Sequence, residues 1–244
     1  MAGCLFMLPV PISDSLAKES LPALTIETAK RLDYFLAENA KSARAFLKKI
    51  GHPKPIAELS IVEIGHRPDP AQVKSWLAPL AAGHDIGIVS EAGCPGIADP
   101  GAQVAQKAQE MNYQVRPLVG PCSMILALMA SGMDGQNFRF SGYLPIKEPE
   151  RSRAIKELDK ISTLGSGETQ LFIETPYRNN QMLKDLLTFC SLQTRVLVAM
   201  DITGPEEFIK TRTVEQWKKE NPELPKLPSI FGILGPQKRT GRSR

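Results

Sequence analysis

The chain has 244 residues, of which 42% are hydrophobic and 23% are charged, and its formal net charge is +4. This length suits one large domain or two small ones, and the composition is typical of soluble globular proteins. No apolar run approaches the ~20 residues needed to cross a bilayer, and the first residues lack the pattern of a signal peptide. We therefore expect no membrane partner. The mild positive charge is compatible with an RNA partner but does not indicate one.

Cysteine and histidine are sparse and scattered. Four cysteines occur without a Cys-x-x-Cys pair. This argues against a structural zinc site and a disulfide framework, and it favours a reducing cytoplasm. The three histidines, His52, His66 and His84, lack the close spacing of metal ligands. We expect them in surface or loop positions, and we expect no metal.

Short apolar runs alternate with helical periodicities along the chain, which predicts an α/β fold with mainly parallel sheets. The last third lacks a long crossover helix and should be more antiparallel. The predicted strands are 4–10, 33–38, 59–64, 86–89, 113–119, 138–143, 169–174, 195–201, 207–211 and 229–234. The predicted helices are 25–32, 39–50, 69–82, one capped by Asp99 that begins at Pro100, 121–132, 148–163, 179–190 and 213–219.

The stretch 85–120 contains two similar turns. The strand 86–89 leads into the small residues SEAGCPG, and the strand 113–119 leads into GPCS. Glycine permits positive φ and close approach of a ligand, and ligands in open α/β sheets bind beyond the carboxyl ends of strands. One such turn would be consistent with tight packing alone. Two turns in successive units favour a ligand site.

Three further segments carry predictions. The helix 121–132 is apolar on all sides, which predicts a buried helix whose methionines pack in the core. The helix 39–50 carries the basic row Lys41, Arg44, Lys48 and Lys49, which is either a solvated face or a contact for backbone phosphates. The basic tail 237–244 is expected to be disordered.

The run VSEAGCPGIADPG at 89–101 resembles the VSDAGTPxISDPG signature of a known family. That family comprises the bacterial methyltransferases that modify the ribose of small-subunit ribosomal RNA. It belongs to the tetrapyrrole methylase superfamily, the class III S-adenosylmethionine-dependent methyltransferases. Segments at 115–133, 138–145, 171–183 and 197–203 resemble further family motifs in the same order. The resemblance therefore covers nearly the whole chain.

The resemblance implies two α/β domains, 1–117 and 118–244, with S-adenosylmethionine in the cleft between them. It also implies a cytoplasmic homodimer that methylates a ribose 2′-hydroxyl of ribosomal RNA. The donor contacts that it carries over to matching positions are Leu8, Pro9, Gly93, Cys94, Ile97, Cys122, Ser123, Phe172, Ile173, Glu174, Met200, Asp201, Ile202, Ser229 and Ile230.

Charged positions depart from the family's pattern more than the turns do. The family's AEDTR is AENAK at 37–41 here, and its RELT is MDIT at 200–203. Arginine and lysine are not equivalent where bidentate recognition matters. These departures predict a divergent branch with an altered acceptor or weakened catalysis. The alternatives are a module that binds the donor without turnover and a methylase of a small, tetrapyrrole-like molecule.

The acceptor chemistry suggests three catalytic candidates. A ribose hydroxyl is a poor nucleophile, so a group that takes its proton would help. Glu38, Lys41 and Glu91 follow strands at their carboxyl ends and could do so, although each is equally consistent with a turn or helix-terminus residue. Cys94 and Cys122 lack a nearby histidine in sequence, which favours packing or donor contact over a thiol mechanism.

Overall fold

The computed structural model describes residues 2–14, 16–164 and 167–237. The chain divides into two compact units, Met1–Cys122 and Ser123–Arg244, whereas the sequence predicts a boundary after residue 117. The disorder predicted for the basic tail concerns residues beyond 237, which lie outside the described ranges.

The first unit is built on a parallel sheet with the strand order β3-β2-β4-β1-β5. The strands β1, β2 and β4 are apolar runs because helices cover both faces of the sheet. Since every pairing is parallel, the carboxyl ends of all these strands lie at one edge. The strands are β1 (Cys4–Leu8), β2 (Tyr34–Ala37), β3 (Ser60–Glu63), β4 (Ile86–Val89) and β5 (Gln114–Pro117).

The helices of this unit are α1 (Ala17–Ser20), α2 (Ala23–Arg31), α3 (Ala40–Lys49), α4 (Pro70–Trp76), α5 (Ala78–Ala81) and α6 (Gly101–Glu110). The side chain of Asn39 caps α3 and accepts hydrogen bonds from two amides of its first turn. The single helix predicted over 69–82 is wrong, because it is divided at Leu77. Pro79 has no amide hydrogen for a continuous helix and lies in the first turn of α5, which begins at Ala78.

The second unit contains a mixed sheet with the strand order β6-β7-β10-β8-β9. The pair β6 and β7 is parallel, and the other three pairings are antiparallel. This confirms the α/β class and the antiparallel character predicted for the last third. The strands are β6 (Phe138–Tyr143), β7 (Thr169–Glu174), β8 (Arg195–Met200), β9 (Phe208–Thr213) and β10 (Ser229–Leu234).

The helices of the second unit are α7 (Ser123–Ser131), α8 (Glu150–Thr163), α9 (Asn179–Phe189) and α10 (Val214–Glu220). In the core, the rings of Phe172 and Phe231 stack with their centroids 6.0 Å apart. Trp217 of α10 is fully buried, and its indole N–H donates to the carbonyl oxygen of Val196 over 2.9 Å. Across both units, none of the described helices is long and apolar enough to cross a membrane.

The prediction that α7 is buried on all sides is wrong. Met124 and Leu128 are buried, but Ile125 is 42% exposed and Met129 is 74% exposed. One face of the helix packs in the unit, and the opposite face is apolar without being covered. An apolar composition favours burial but does not determine how many faces of a helix the fold covers.

Candidate functional site

The predicted donor contacts of the first unit meet at the carboxyl edge of its sheet. The backbones of Val10 and Gly93 exchange two hydrogen bonds, of 2.9 and 3.2 Å. The thiol of Cys94 donates to the carbonyl oxygen of Pro121 over 3.3 Å. The loops that follow β1, β4 and β5 are therefore joined to one another at this edge.

Two glycines let the loops at this part of the edge pack closely against one another. Gly93 has a φ of +71°, and a Cβ there would lie 3.1 Å from Cγ2 of Ile12 and 3.3 Å from the carbonyl oxygen of Pro121. A Cβ on Gly120 would lie only 2.1 Å from Cβ of Pro9. Glycine is the residue that allows such positive φ and close approach. Closely packed loops of small residues at the carboxyl ends of three adjacent strands occupy the position where α/β sheets bind ligands.

Asp99 holds the turn after β4. Its Oδ1 accepts hydrogen bonds from the amides of Gly96, over 2.8 Å, and Gly101, over 2.7 Å. The prediction that α6 begins at Pro100 with Asp99 as its cap is wrong by one residue, because Pro100 itself is the N-cap. Burial raises the pKa of Asp99, the two amides act in the opposite direction, and the nearby Glu38 adds to the rise.

Replacing Asp99 with Ala should lower the free energy of unfolding by about 2–3 kcal/mol, because two partly buried amides would lose their acceptor. Urea unfolding followed by circular dichroism measures this loss. The matched control is Asp69→Ala, since Asp69 caps α4 through one exposed hydrogen bond of 3.0 Å. We expect the control to cost about 1 kcal/mol. Equal losses in the two variants would contradict the role given to Asp99.

A second group of side chains lies where β3, β2 and β4 end at the same edge. Glu38 follows β2, and its Oε1 lies 2.8 Å from Nδ1 of His66, which follows β3. Its Oε2 accepts from the amide of Glu91, which follows β4, over 3.1 Å. A carboxylate has only acceptors, so Nδ1 of His66 is the donor in this pair. One oxygen or nitrogen atom from each of the three side chains, Glu38, His66 and Glu91, lies within 4.8 Å of the other two.

The structure brings two of the three catalytic candidates together and adds a residue that sequence reasoning missed. Glu38 and Glu91 are hydrogen-bonded neighbours, whereas Lys41 is exposed in the first turn of α3. None of the hydrogen bonds or ion pairs described for this part of the chain joins Lys41 to either glutamate. His66 was predicted only as a surface residue. Its position in the loop after β3 was the available signal, since Glu38 and Glu91 also lie in the loops that follow their strands.

The predicted donor contacts of the second unit lie at one edge of its own sheet. The antiparallel register pairs Ser229 with Glu174 on one side and with Met200 on the other. The start of β10 therefore lies between the ends of β7 and β8. Asp201 follows with a φ of +45°, and its carboxylate accepts from the amide of Glu206 over 2.9 Å.

Two of the predicted contacts in this unit have side chains that are already engaged. Phe172 is fully buried against Phe231 in the core. Glu174 is buried, and its Oε1 accepts from Nε of Arg178 over 2.8 Å and from the hydroxyl of Thr175 over 3.2 Å. These two residues could contact a ligand through the backbone at the end of β7.

The remaining predicted contacts differ in exposure. Leu8 and Ile202 are buried, Ile97 is exposed, and Ser123 begins α7. Burial raises the pKa of the Cys94 thiol, and the neighbouring Cys122 acts in the same direction. A thiol with a raised pKa stays protonated at neutral pH, which disfavours thiolate chemistry.

Solved methyltransferase structures share this fold. The uroporphyrin-III-C-methyltransferase of Thermus thermophilus has a TM-score of 0.57 and 15% sequence identity, with 96% of this chain and 93% of that chain covered. The methyltransferase CobJ has a TM-score of 0.60 and 14% identity, with 96% and 95% covered. At these identities the likeness concerns the fold alone.

The family model of the Tetrapyrrole (Corrin/Porphyrin) Methylases matches residues 17–217. The chain belongs to this family of methyltransferases, as its sequence motifs predict. The Ribosomal RNA small subunit methyltransferase I of Buchnera aphidicola is 28% identical over 236 residues, which are 95% of this chain and 78% of that protein. The protein of the same name from Haemophilus influenzae is 26% identical over 242 residues, with 98% and 81% covered.

Proposed function

We propose that this methyltransferase transfers a methyl group from S-adenosylmethionine to a ribose 2′-hydroxyl of small-subunit ribosomal RNA. The observation that carries the proposal is the similarity to two small-subunit ribosomal RNA methyltransferases over 95% and 98% of this chain. Two groups of residues at the carboxyl edge of the first unit's sheet support the proposal chemically. The loops around Gly93 offer backbone groups, and the side chains around Glu38 offer proton acceptors.

S-adenosylmethionine supplies, when bound, an electrophilic methyl carbon on a sulfonium sulfur. In the first unit the closely packed loops around Pro9, Gly93 and Gly120 would offer backbone groups to the donor, and Ile97 offers an exposed apolar side chain. In the second unit the paired ends at Ser229 and Met200 offer backbone groups. The protein's main task in such a transfer is to position donor and acceptor and to exclude water.

An exposed basic face next to the carboxylate group supports RNA as the acceptor. The helix α3 begins directly after Glu38, and Lys41, Arg44 and Lys48 on it are exposed. Such a row suits the phosphates of an RNA strand whose hydroxyl is presented to Glu38 and its neighbours. This contact would be independent of base sequence and should weaken as salt concentration rises.

The experiment is transfer of labelled methyl from S-adenosylmethionine to ribosomal subunits purified from a strain that lacks this protein. We expect label on small-subunit RNA only, and the labelled nucleotide should resist alkaline cleavage because its 2′-oxygen is blocked. The control is the large subunit in the same reaction. Label on a base, or on a tetrapyrrole acceptor alone, would contradict the proposal. Donor binding without transfer to any acceptor would favour a binding module.

We also propose a cytoplasmic homodimer. Ribosomal RNA as the substrate places the protein with the ribosome, and the exposed apolar face of α7 with Ile125 and Met129 is suited to a partner. Sedimentation of the purified protein should give twice the mass of one chain. A monomer at micromolar concentration would contradict the assembly and leave the proposed reaction in place.

A further inference from the structure

We infer that His66 is the residue that takes the proton from the acceptor hydroxyl and that Glu38 is the residue that positions it. The inference rests on the proposed function, because the hydroxyl belongs to the proposed acceptor. It differs from the sequence-based prediction, which gave the proton to Glu38, Lys41 or Glu91.

The hydrogen bonds of Glu38 leave its carboxylate occupied. Oε1 accepts from Nδ1 of His66 over 2.8 Å, and Oε2 accepts from the amide of Glu91 over 3.1 Å. Only 14% of the Glu38 side chain is exposed. A carboxylate with both oxygens bonded and little contact with solvent is better placed to orient a neighbour than to approach a substrate.

His66 has the complementary properties. Its side chain is 74% exposed. Because Nδ1 carries the hydrogen that Glu38 accepts, Nε2 of the neutral ring has a free lone pair. Orientation of a histidine by a carboxylate on one nitrogen, with a nucleophile's proton taken by the other, is the general arrangement of an activated hydroxyl.

The proposed proton transfer accounts for all atoms and electrons. A lone pair of the ribose oxygen forms the new bond to the methyl carbon, and the electrons of the broken C–S bond remain on sulfur. The hydroxyl proton moves to Nε2 of His66, and the resulting imidazolium releases it to solvent. The charge on His66 in that state is stabilised by the carboxylate of Glu38.

Acidic groups from three strand ends face His66. The hydrogen bond and the charge of Glu38 raise the pKa of His66, and Glu91 and Glu63 act in the same direction. Asp99 interacts with Glu38 through a side-chain hydrogen bond and through its charge. Histidine must be neutral to act as a base, so a raised pKa of His66 moves the rising limb of the activity profile to higher pH. Removing the charge of Glu38 should move that limb back towards lower pH.

The test compares His66→Gln, Glu38→Gln and the control His84→Gln. His84 is exposed ahead of β4, at the opposite edge of the sheet. We expect His66→Gln to lower kcat about 100-fold and to abolish the rising limb, with donor affinity measured by calorimetry unchanged. Glu38→Gln should shift the limb to lower pH, and His84→Gln should behave as the wild type.

A second readout needs no turnover. The imidazole signals in NMR spectra of the protein without donor, assigned through the two histidine variants, should give His66 a pKa above the ordinary value of histidine. Glu38→Gln should lower the pKa of His66 towards that value.

Each contrary result has a distinct meaning. An unchanged pH profile and a kcat within threefold of wild type for His66→Gln would overturn the inference and leave the proposed function intact. Wild-type transfer could also be lost when divalent cations are removed and recover when one is added back. That result would show that a metal centre, and not His66 as proton acceptor, activates the hydroxyl, and it would overturn the inference. Absence of transfer to any RNA by the wild type would overturn the proposed function, and the role of His66 with it.

Discussion

Gly93→Val should raise the dissociation constant for S-adenosylmethionine about 1000-fold and abolish measurable methyl transfer. The first cause is the backbone, since a branched residue at a φ of +71° is strained by roughly 1–3 kcal/mol. The second cause is crowding, because even a Cβ would meet Ile12 and Pro121 within 3.3 Å. Valine would add two further methyl groups between Ile12 and Pro121 and would displace the loops that should hold the donor. Calorimetry with S-adenosylmethionine measures the effect.

Gly51→Val provides the matched control. Gly51 has the same φ of +71°, but a Cβ there would meet nothing within 4 Å. Both variants should lose stability through backbone strain, and Gly93→Val should lose more because its side chain is also crowded. Only Gly93→Val should lose donor binding. Normal donor affinity in a folded Gly93→Val protein would refute the placement of the donor at this turn.

Trp217→Ala should lower the free energy of unfolding by about 4 kcal/mol. Trp217 is fully buried in the core of the second unit and is among the largest side chains there. Its removal leaves a cavity and takes away the donor that the carbonyl oxygen of Val196 accepts over 2.9 Å. Urea unfolding of the variant and the wild type measures the difference.

Two further variants separate the causes. Trp217→Phe keeps an aromatic ring but loses the N–H, and we expect an intermediate loss of about 1–2 kcal/mol. Trp76→Ala removes a tryptophan that is only half-buried in the first unit, and we expect a loss below about 2 kcal/mol. A loss for Trp217→Ala no larger than that for Trp76→Ala would show that the indole does not anchor α10.

Buried strands were the most predictable part of the fold. The sequence predicts 86–89, 169–174 and 229–234, and these agree with β4, β7 and β10 residue for residue. Their apolar runs are bounded by turn formers, so the pattern has a single interpretation. The exposed face of α7 could not be predicted. An apolar sequence is compatible with burial, but the packing of neighbouring elements determines which faces of the helix are buried.

The candidate site was predictable in part for a similar reason. The glycine turns can be recognised from the sequence because their residues are adjacent in the chain. The pairing of Glu38 with His66 spans 28 residues, and that of Glu38 with Glu91 spans 53. These contacts depend on the strand order β3-β2-β4, which alternation of strands and helices does not specify.

The same strand order has a consequence for redesigning the enzyme. The acidic group occupies the ends of β3, β2 and β4, and the glycine turns occupy the ends of β4, β1 and β5, so β4 alone serves both. The residues 65–68 between β3 and the cap of α4 include His66 and belong only to the first of these. They can therefore be replaced without changing the buried Ile64 or the cap residue Asp69. Libraries built there can vary the chemistry offered to new acceptors while the backbone at Gly93 and Gly120 is inherited unchanged.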